Sequence, residues 1–253
     1  MRLLLSNDDG ILARGLAALE RAAAPLGEVY VVAPDREQSA TSHSLTMHHP
    51  LRPVQIGERR WQVDGTPTDC VMLALEALLP ERPDFVLSGV NHGPNMGEDV
   101  LYSGTVAAAM EGLALGVPAI AFSFAGSVLR ADALMDDHVP TIERILRHIA
   151  GLPAFPENTL FNVNMPPLAA DQVKGFRLTR LGRRAYSDSL TKMQDPWGRP
   201  IYWIGGGSVD WRDSAEDSDF QAINDGYVSI TPLHLDLTHR AVLDSAEQWW
   251  RPL

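Results

Sequence analysis

The chain alternates short apolar runs with longer stretches in which apolar residues recur every three or four positions. The apolar runs predict strands and the periodic stretches predict helices. The predicted strands are Leu3–Ser6, Glu28–Ala33, Asp84–Ser88, Ala119–Phe124, Thr159–Val163 and Tyr227–Thr231. The predicted helices are Leu12–Ala24, Pro67–Leu79, Thr105–Leu115 and a stretch around Asp136–Ala150. Strands that alternate with helices predict an α/β fold, with a mostly parallel sheet covered by helices on both faces.

Two segments interrupt this alternation. Residues Ser44–Asp64 predict short antiparallel strands that leave the main sheet. Residues 184–206 predict a protruding β-hairpin, and residues 207–253 a C-terminal arm, both attached to a single domain that spans residues 1–253. The hairpin carries Trp197, Tyr202 and Trp203, too many aromatic side chains to leave in water. This favours an arm that packs against another subunit over an appendage that packs on its own domain.

Composition narrows the class of protein. The 253 residues are 45% hydrophobic and 21% charged, which is close to the average for globular domains and argues against large-scale disorder. The only cysteine, Cys70, cannot form an internal disulfide, so we expect a reducing, cytoplasmic setting. No apolar run is long enough to span a membrane, and the short apolar start followed by acids does not resemble a signal peptide.

The net charge of −11 argues against a long nucleic acid as partner. It still permits a small phosphorylated substrate, provided that a cation or local dipoles offset the charge.

Oxygen-bearing side chains follow three of the predicted strands. In a parallel sheet, the loops beyond the carboxyl ends of the strands gather at one edge and build the site. Three loops rich in possible ligands are therefore expected to converge, and they contribute Asn7, Asp8 and Asp9, then Asp35, Arg36 and Ser39, then Asn91, His92, Asn95, Ser103 and Thr105.

Asp8 and Asp9 stand next to each other directly after the first strand. Taken alone, Asn7-Asp8-Asp9-Gly10 is typical of a polar turn. Their place at the expected edge, beside loops that supply Ser and Asn rather than Lys, favours a hard divalent cation such as Mg²⁺, Mn²⁺ or Ca²⁺. A zinc-like site needs clustered Cys or His, and this edge has no such spacing.

Ser103-Gly104-Thr105 precedes a helical run of Val and Ala. Free backbone N–H groups and the helix dipole at such a start favour a phosphate. An ordinary N-cap explains the same residues, and it is the more frequent case when the motif is considered alone. A neighbouring metal site shifts the balance towards a phosphate pocket.

Other signals are open or negative. His92 lies in the site loop as a possible acid or base, and Arg36 is placed equally well for a substrate phosphate or for an ion pair with Asp35 or Glu37. The chain has no GxxxxGK(S/T) segment and no GxSxG segment. A P-loop nucleoside triphosphatase is therefore unsupported, and a serine hydrolase is less favoured.

Six segments together resemble the survival protein E (SurE) family of metal-dependent nucleotidases. In chain order they are "NDDGI", "VVAPDREQSATSHSLT", "GTPTDCV", "LSGVNHGPNMGEDVLYSGTVAAAMEG", "GRPIYWIGG" and "DGYVSITPL". The resemblance runs from residue 5 to about residue 232, and the long block around residues 91–112 is its most specific part.

The resemblance implies a Rossmann-like domain that hydrolyses nucleoside 5′-monophosphates and often 3′-monophosphates, with some members acting on short polyphosphate. One divalent cation per subunit, Mg²⁺ or Mn²⁺, is implied, together with a homodimer or homotetramer formed through the hairpin and arm. Carried over to this chain, the metal ligands are Asp8, Asp9, Ser39 and Asn91. The phosphate pocket is Asn95, Ser103, Gly104 and Thr105.

The attacking group is left open by the sequence. Metal-activated water is favoured, with Asp9 purely a ligand and Asp8 also serving as base; an aspartyl phosphate on Asp8 or Asp9 is the other option. Two other classes also fit parts of the pattern: a nucleotide-binding module without catalysis, and a metal-dependent hydrolase of acyl or glycosidic bonds.

Overall fold

The computed structural model describes residues 1–186, 190–204, 209–211, 215–246 and 249–250. Its strands are β1 (Arg2–Ser6), β2 (Glu28–Pro34), β3 (Pro53–Gly57), β4 (Arg60–Val63), β5 (Phe85–His92), β6 (Ala119–Phe124), β7 (Leu160–Met165), β8 (Phe176–Leu178), β9 (Arg184–Tyr186), β10 (Leu190–Gln194), β11 (Pro200–Ile204), β12 (Val209–Trp211) and β13 (Val228–Leu233). Its α-helices are α1 (Arg14–Ala23), α2 (Pro67–Leu73), α3 (Gly104–Ala114), α4 (Val128–Leu134), α5 (Val139–Ala150), α6 (Asp219–Asn224) and α7 (Arg240–Asp244).

One sheet organises the described chain, with the strand order β3-β4-β2-β1-β5-β6-β7-β13-β8. In the stretch β4-β2-β1-β5-β6-β7, each strand is parallel to the next. At the two ends of this stretch, β3 is antiparallel to β4 and β13 is antiparallel to β7. The predicted mostly parallel α/β sheet is therefore confirmed, and its parallel centre places the loops after β1, β2 and β5 at one edge.

The leucine run of β1 shows how the sheet is buried. Successive side chains of a strand point to opposite faces. Leu3 and Leu5 accordingly pack in the core layer that contains α1 and α5, whereas Leu4 packs in the layer that contains α2 and α3. Both faces are covered by helices, as the alternating pattern predicts, and this explains why β1 is apolar at consecutive positions.

The segment Ser44–Asp64 departs from the prediction. Its two strands, β3 and β4, do pair in antiparallel fashion, but β4 also pairs in parallel with β2, where Val31 lies opposite Arg60. The segment therefore extends the main sheet rather than leaving it. The open backbone groups of β2 supply the reason, because an unpaired strand edge accepts a further strand.

The tail beyond residue 180 contains two antiparallel strand pairs, β9 with β12 and β10 with β11. The predicted hairpin of residues 184–206 is present where it is described, although residues 187–189 and 205–206 lie outside the described residues. Of the predicted arm, residues 207–208, 212–214, 247–248 and 251–253 also lie outside them. Trp197, Tyr202 and Trp203 are exposed.

The structure also bears on the single cysteine and on the possibility of a membrane-spanning helix. Cys70 lies on α2 and is buried in the core layer, where the absence of water raises the pKa of its thiol well above the ordinary value. Within the described ranges, no helix combines the length and the apolar character that crossing a membrane requires.

Candidate active site at the carboxyl edge of the sheet

The residues after β1 form a tight turn that presents two carboxylates. The side-chain amide of Asn7 donates a hydrogen bond to the Gly10 carbonyl at 2.9 Å. Gly10 has a φ of +96°, and a Cβ at this position would lie 3.1 Å from the backbone carbon of Arg36. The expected polar turn is therefore present, and its geometry requires glycine because the second loop passes so close.

Asp8 is buried, with 5% of its surface exposed. The Thr105 hydroxyl donates a hydrogen bond to Asp8 Oδ1 at 2.5 Å. Burial raises the pKa of Asp8 to about 6, the neighbouring charge of Asp9 adds to the rise, and the bond from Thr105 opposes it. The chain thus places a carboxylate where its charge is costly unless a cation lies beside it.

Asp9 is paired with His92 from the end of β5. The backbone N–H of His92 donates to Asp9 Oδ2 at 3.3 Å, and its ring Nδ1 lies 3.2 Å from the same oxygen. The side-chain bond with Asp9 raises the pKa of His92, and Asp132 on α4, 3.4 Å from Nε2, adds to the rise. Within the described residues, no lysine or arginine forms an ion pair with Asp8 or Asp9.

The loop after β2 is fastened to the other two loops. The Gln38 N–H donates to the Asp8 carbonyl at 2.7 Å, and the Ser42 hydroxyl donates to the Leu101 carbonyl at 2.6 Å. These bonds bring Ser39 next to the acid turn, where its exposed hydroxyl donates to Glu37 at 2.6 Å. The lone pairs of the Ser39 oxygen therefore remain available to a ligand.

A half-buried pair of side chains also links this loop to helix α3. His43 Nε2 lies 2.7 Å from Glu111 Oε2, and Glu111 is buried in the third turn of the helix. The pattern of the sequence did not single out Glu111, because a glutamate in a helix usually faces water. Nothing short of the tertiary contact identifies it as a residue that holds the loop of Ser39 in place.

The start of α3 lies directly against Asp8. A Cβ at Gly104 would lie 2.8 Å from Asp8 Cβ and 3.0 Å from Asp8 Oδ2. Ser103 accepts the N–H of Val106 at 3.1 Å, so the ordinary N-cap exists here as well. The Thr105 hydroxyl is engaged by Asp8, which leaves backbone N–H groups as what this residue offers to a phosphate.

Asn91 and Asn95 are positioned by different contacts. The Asn91 amide nitrogen donates to the Gly93 carbonyl at 2.9 Å. The side-chain carbonyl oxygen of Asn91 is then the atom that could bind a ligand. Asn95 is buried, and its amide nitrogen donates to the Ser123 hydroxyl at 2.7 Å. Its backbone N–H donates to Asn164 on β7 at 2.9 Å. One amide hydrogen of Asn95 is thus used by the fold, and its place in a phosphate pocket stays a prediction.

Of the partners that the sequence left open for Arg36, the structure shows an ion pair with Asp35, at 2.8 Å and at the surface. Contact with a substrate is therefore not needed to explain it.

The donor set fits a hard divalent cation. Asp8 and Asp9 would supply carboxylate oxygens, Asn91 an amide oxygen and Ser39 a hydroxyl oxygen, and oxygen ligands are what Mg²⁺ and Mn²⁺ select. The described residues contain no group of three His, Cys, Asp or Glu side chains placed to hold a metal ion. An ion at this edge therefore depends on the Ser and Asn oxygens in addition to the two carboxylates.

Comparisons with known proteins agree along the whole chain. Residues 3–188 match the model of a family described as "Survival protein SurE". A protein of Gemmatimonas aurantiaca named "5'-nucleotidase SurE" is 74% identical over 251 residues, which cover 99% of each chain. A protein of the same name from Vibrio cholerae is 48% identical, covering 98% of this chain and 97% of the relative. The crystal structure of a SurE protein from Aquifex aeolicus has a TM-score of 0.86 and 44% identity, covering 98% and 99% of the two chains.

Proposed function

The chain belongs to the survival protein SurE family, and on that premise we propose that it is a divalent-metal-dependent phosphatase of nucleoside 5′-monophosphates. The products are the nucleoside and inorganic phosphate. Relatives that are 74% and 48% identical over nearly the full length carry the name 5′-nucleotidase, and this supports the reaction class.

One observation supports the proposal most directly. The buried carboxylate of Asp8 faces the N-terminus of α3, with Asp8 Oδ2 3.0 Å from the position of a Cβ on Gly104. The N-terminus of α3, a helix of eleven residues, attracts phosphate, whereas the carboxylates of Asp8 and Asp9 repel it. The two elements suit the same ligand only when a cation lies between the carboxylates and the phosphate.

The protein residues then have separate roles. Asp8, Asp9, Ser39 and Asn91 would hold the cation, which would supply neutralisation of the phosphate charge and a lowered pKa of bound water. The N–H groups at Ser103, Gly104 and Thr105 orient the phosphate, with Asn95 beside them. Thr105 fixes the orientation of Asp8 through its hydroxyl.

Asp8 is also the residue we propose as the base that accepts the proton of the attacking water. Burial raises the pKa of Asp8 to about 6 in the metal-free site, and a bound cation would lower it again, so that Asp8 would be ionised and able to accept a proton. An aspartyl phosphate on Asp8 or Asp9 is the competing route.

Finer properties belong to the same proposal. We propose that residues 1–253 form one domain, that it acts in the cytoplasm, and that it forms a homodimer or homotetramer through the hairpin and the arm. Hydrolysis of nucleoside 3′-monophosphates and of short polyphosphate is included in the proposal as a secondary activity. Mg²⁺ or Mn²⁺ is the proposed ion, with one per subunit.

A substrate panel tests the proposal. Purified protein is incubated with AMP, 3′-AMP, a sugar phosphate, an acyl ester, an aryl glycoside and polyphosphate, each with Mn²⁺ and with EDTA. Phosphate release from AMP that stops with EDTA is the expected result. Binding of AMP without phosphate release would instead indicate a binding module, and cleavage of the ester or glycoside alone would indicate the other hydrolase class.

A further inference from the structure

The loop that joins β5 to α3 carries Asn95 and Ser103 and is held at three places. The first is Asn95 itself, which is bonded to Ser123 on β6 and Asn164 on β7. The other two are Gly97 and the acidic pair Glu98 and Asp99, which lie in a short 3₁₀ helix just before Ser103. The partners of these two places come from the chain beyond residue 180, more than eighty residues later in the sequence.

Asp219 holds Gly97. This carboxylate, at the start of α6, is completely buried, and its Oδ2 accepts the Gly97 N–H at 2.8 Å. Its other oxygen accepts the N–H groups of Gly182 and Phe220, both at 2.8 Å. A Cβ at Gly182 would lie 2.9 Å from the Asp219 carboxylate, so the tail approaches this residue closely. A buried carboxylate with three N–H donors joins the tail and the site loop at one point.

Arg184, the first residue of β9, holds the acidic pair. Its backbone N–H donates to Glu98 at 2.7 Å, and its guanidinium is paired with Asp99. The backbone carbonyl of Asp99 accepts the Tyr102 N–H at 3.0 Å, and the Tyr102 carbonyl accepts the Ser42 N–H at 3.3 Å. The contact therefore continues from the tail to the residue directly before Ser103 and to the loop that carries Ser39.

From these contacts we propose that Asp219 and Arg184 are positioning residues for phosphate binding, holding the loop of residues 93–103 so that the start of α3 and Asn95 face the substrate. The proposal rests on the proposed nucleotidase function. It assigns to the base of the tail a part in substrate binding, in addition to any part in assembly.

The proposal predicts different effects on phosphate binding and on metal-ion binding. Neither Asp219 nor Arg184 bonds within the described chain to Asp8, Asp9, Ser39 or Asn91. Asn91 is held by Gly93 at the start of the loop, four residues before Gly97, the nearer of the two places that Asp219 and Arg184 hold. Loss of either side chain should therefore weaken binding of the phosphate while leaving binding of the metal ion nearly unchanged. General damage to the fold would weaken both.

The experiment compares four variants with the full-length wild type: Arg184→Met, Arg184→Lys, Asp219→Asn and Arg180→Met. Arg180 is the matched control, because its guanidinium pairs with Asp217 at the same base of the tail and, among the described residues, forms no bond to the loop of residues 93–103. We expect the KM for AMP and the inhibition constant of inorganic phosphate to rise at least about tenfold in Arg184→Met and Asp219→Asn, on the scale of a lost charge-assisted hydrogen bond. The Mn²⁺ dissociation constant, measured by calorimetry, should change less than about twofold, and Arg184→Lys should recover most of the loss.

The proposal is overturned if Arg184→Met and Asp219→Asn behave like Arg180→Met, or if Mn²⁺ affinity falls together with phosphate affinity. Hydrogen exchange of residues 93–103 supplies a measurement independent of turnover, and it should increase in Arg184→Met and Asp219→Asn alone. Absence of AMP hydrolysis in the wild type would contradict the nucleotidase function. Calorimetric binding of inorganic phosphate would then decide whether the two residues position the loop.

Discussion

The acid turn after β1 and the hairpin of β10 and β11 depart in opposite ways from the usual pattern, in which charged side chains are exposed and apolar side chains are buried. The turn buries charge, since Asp8 is only 5% exposed and its neighbouring partner Thr105 is fully buried. The hairpin exposes apolar surface, with Trp197 at 78%, Trp203 at 65% and Ile204 at 90% exposure. A buried carboxylate and an exposed tryptophan are each unfavourable in an isolated chain.

The difference indicates what kind of partner each region requires. A carboxylate held away from water is stabilised by a small, doubly charged ion that its oxygens can surround. A hairpin surface with several exposed aromatic side chains is stabilised by another apolar surface of similar extent. We therefore associate the turn with a cation and the hairpin with a second copy of the chain, and four substitutions test this comparison.

Asp8→Asn should have the largest effect, and it should act in opposite directions on activity and stability. Loss of the carboxylate is expected to lower turnover of AMP by about a thousandfold, as for removal of a group that acts in the transition state. A control variant, Asp84→Asn, changes a carboxylate bonded to the Arg2 N–H at the amino end of β1 and should keep its activity. Substantial activity in Asp8→Asn would contradict the site assignment.

The stability effect of Asp8→Asn follows from the pKa. The Asp8 carboxyl has an ordinary value of 3.8 and a value of about 6 in the folded, metal-free protein. Since the folded state binds this proton more tightly, wild-type stability falls as the pH rises from about 4 to about 6 and remains lower above it. Asparagine carries no charge, so metal-free Asp8→Asn should have a higher free energy of unfolding at pH 7.5, by at most about 3 kcal/mol. Denaturant unfolding with EDTA measures the difference, and a less stable variant would contradict the burial argument.

Thr105→Val should have the next largest effect. The substitution keeps the shape of the side chain and removes the hydrogen bond to Asp8. A bond to a charged group contributes about 1.5–3 kcal/mol, so turnover should fall roughly 10–100-fold. The bond lowers the pKa of Asp8, and its loss should shift the acid limb of the pH–activity profile to higher pH.

Thr68→Val is the matched control for that substitution. Thr68 on α2 is also fully buried, and its hydroxyl has no hydrogen-bond partner in the described part of the chain. Activity should therefore be unchanged and stability equal or higher, because valine leaves no unpaired hydroxyl in the core. Equal losses in both variants would show that the bond to Asp8 is unimportant.

Trp203→Lys tests the other side of the comparison. A charge on the exposed face of β11 should prevent an apolar surface from docking, and sedimentation should then show a species of lower mass than the wild type. The chain should remain folded, because Trp203 lies outside both core layers. Gln194→Lys places the same charge on β10 of the same hairpin and should preserve the assembly. A wild type that is already monomeric would contradict the interpretation of the hairpin.

Arg36→Met should have the smallest effect. The guanidinium pairs with Asp35 at the surface, and exposed pairs contribute about 0–1 kcal/mol. The kcat/KM for AMP should therefore change less than about fivefold. A larger loss that is confined to KM would show that Arg36 contacts the substrate phosphate.

The periodic patterns predicted most of the central sheet. β1 and β6 lie within one residue of the predicted bounds at either end, because consecutive apolar residues between polar loops leave few other structures. The pairing of β4 with β2 was not predicted, since the exposed strand β3 and the half-buried β4 carry no signal that tells which edge they join. Helix Pro67–Leu79 was predicted as one element, and it changes to a π-helix over Ala74–Leu78.

The sequence by itself determined the α/β fold and the family, and it predicts the chemical type of the site, because these depend on residue types at short spacing. Asp8 beside Asp9 and Ser103 before a helix are visible without any structure. Only the tertiary structure decided that Asp8 is buried, that the Thr105 hydroxyl is bonded to it, and that Asp219 and Arg184 reach the loop of residues 93–103 from the tail. Those contacts join residues about 85 to 120 positions apart in the chain, and whether distant residues meet depends on how the sheet and the tail pack rather than on any local pattern.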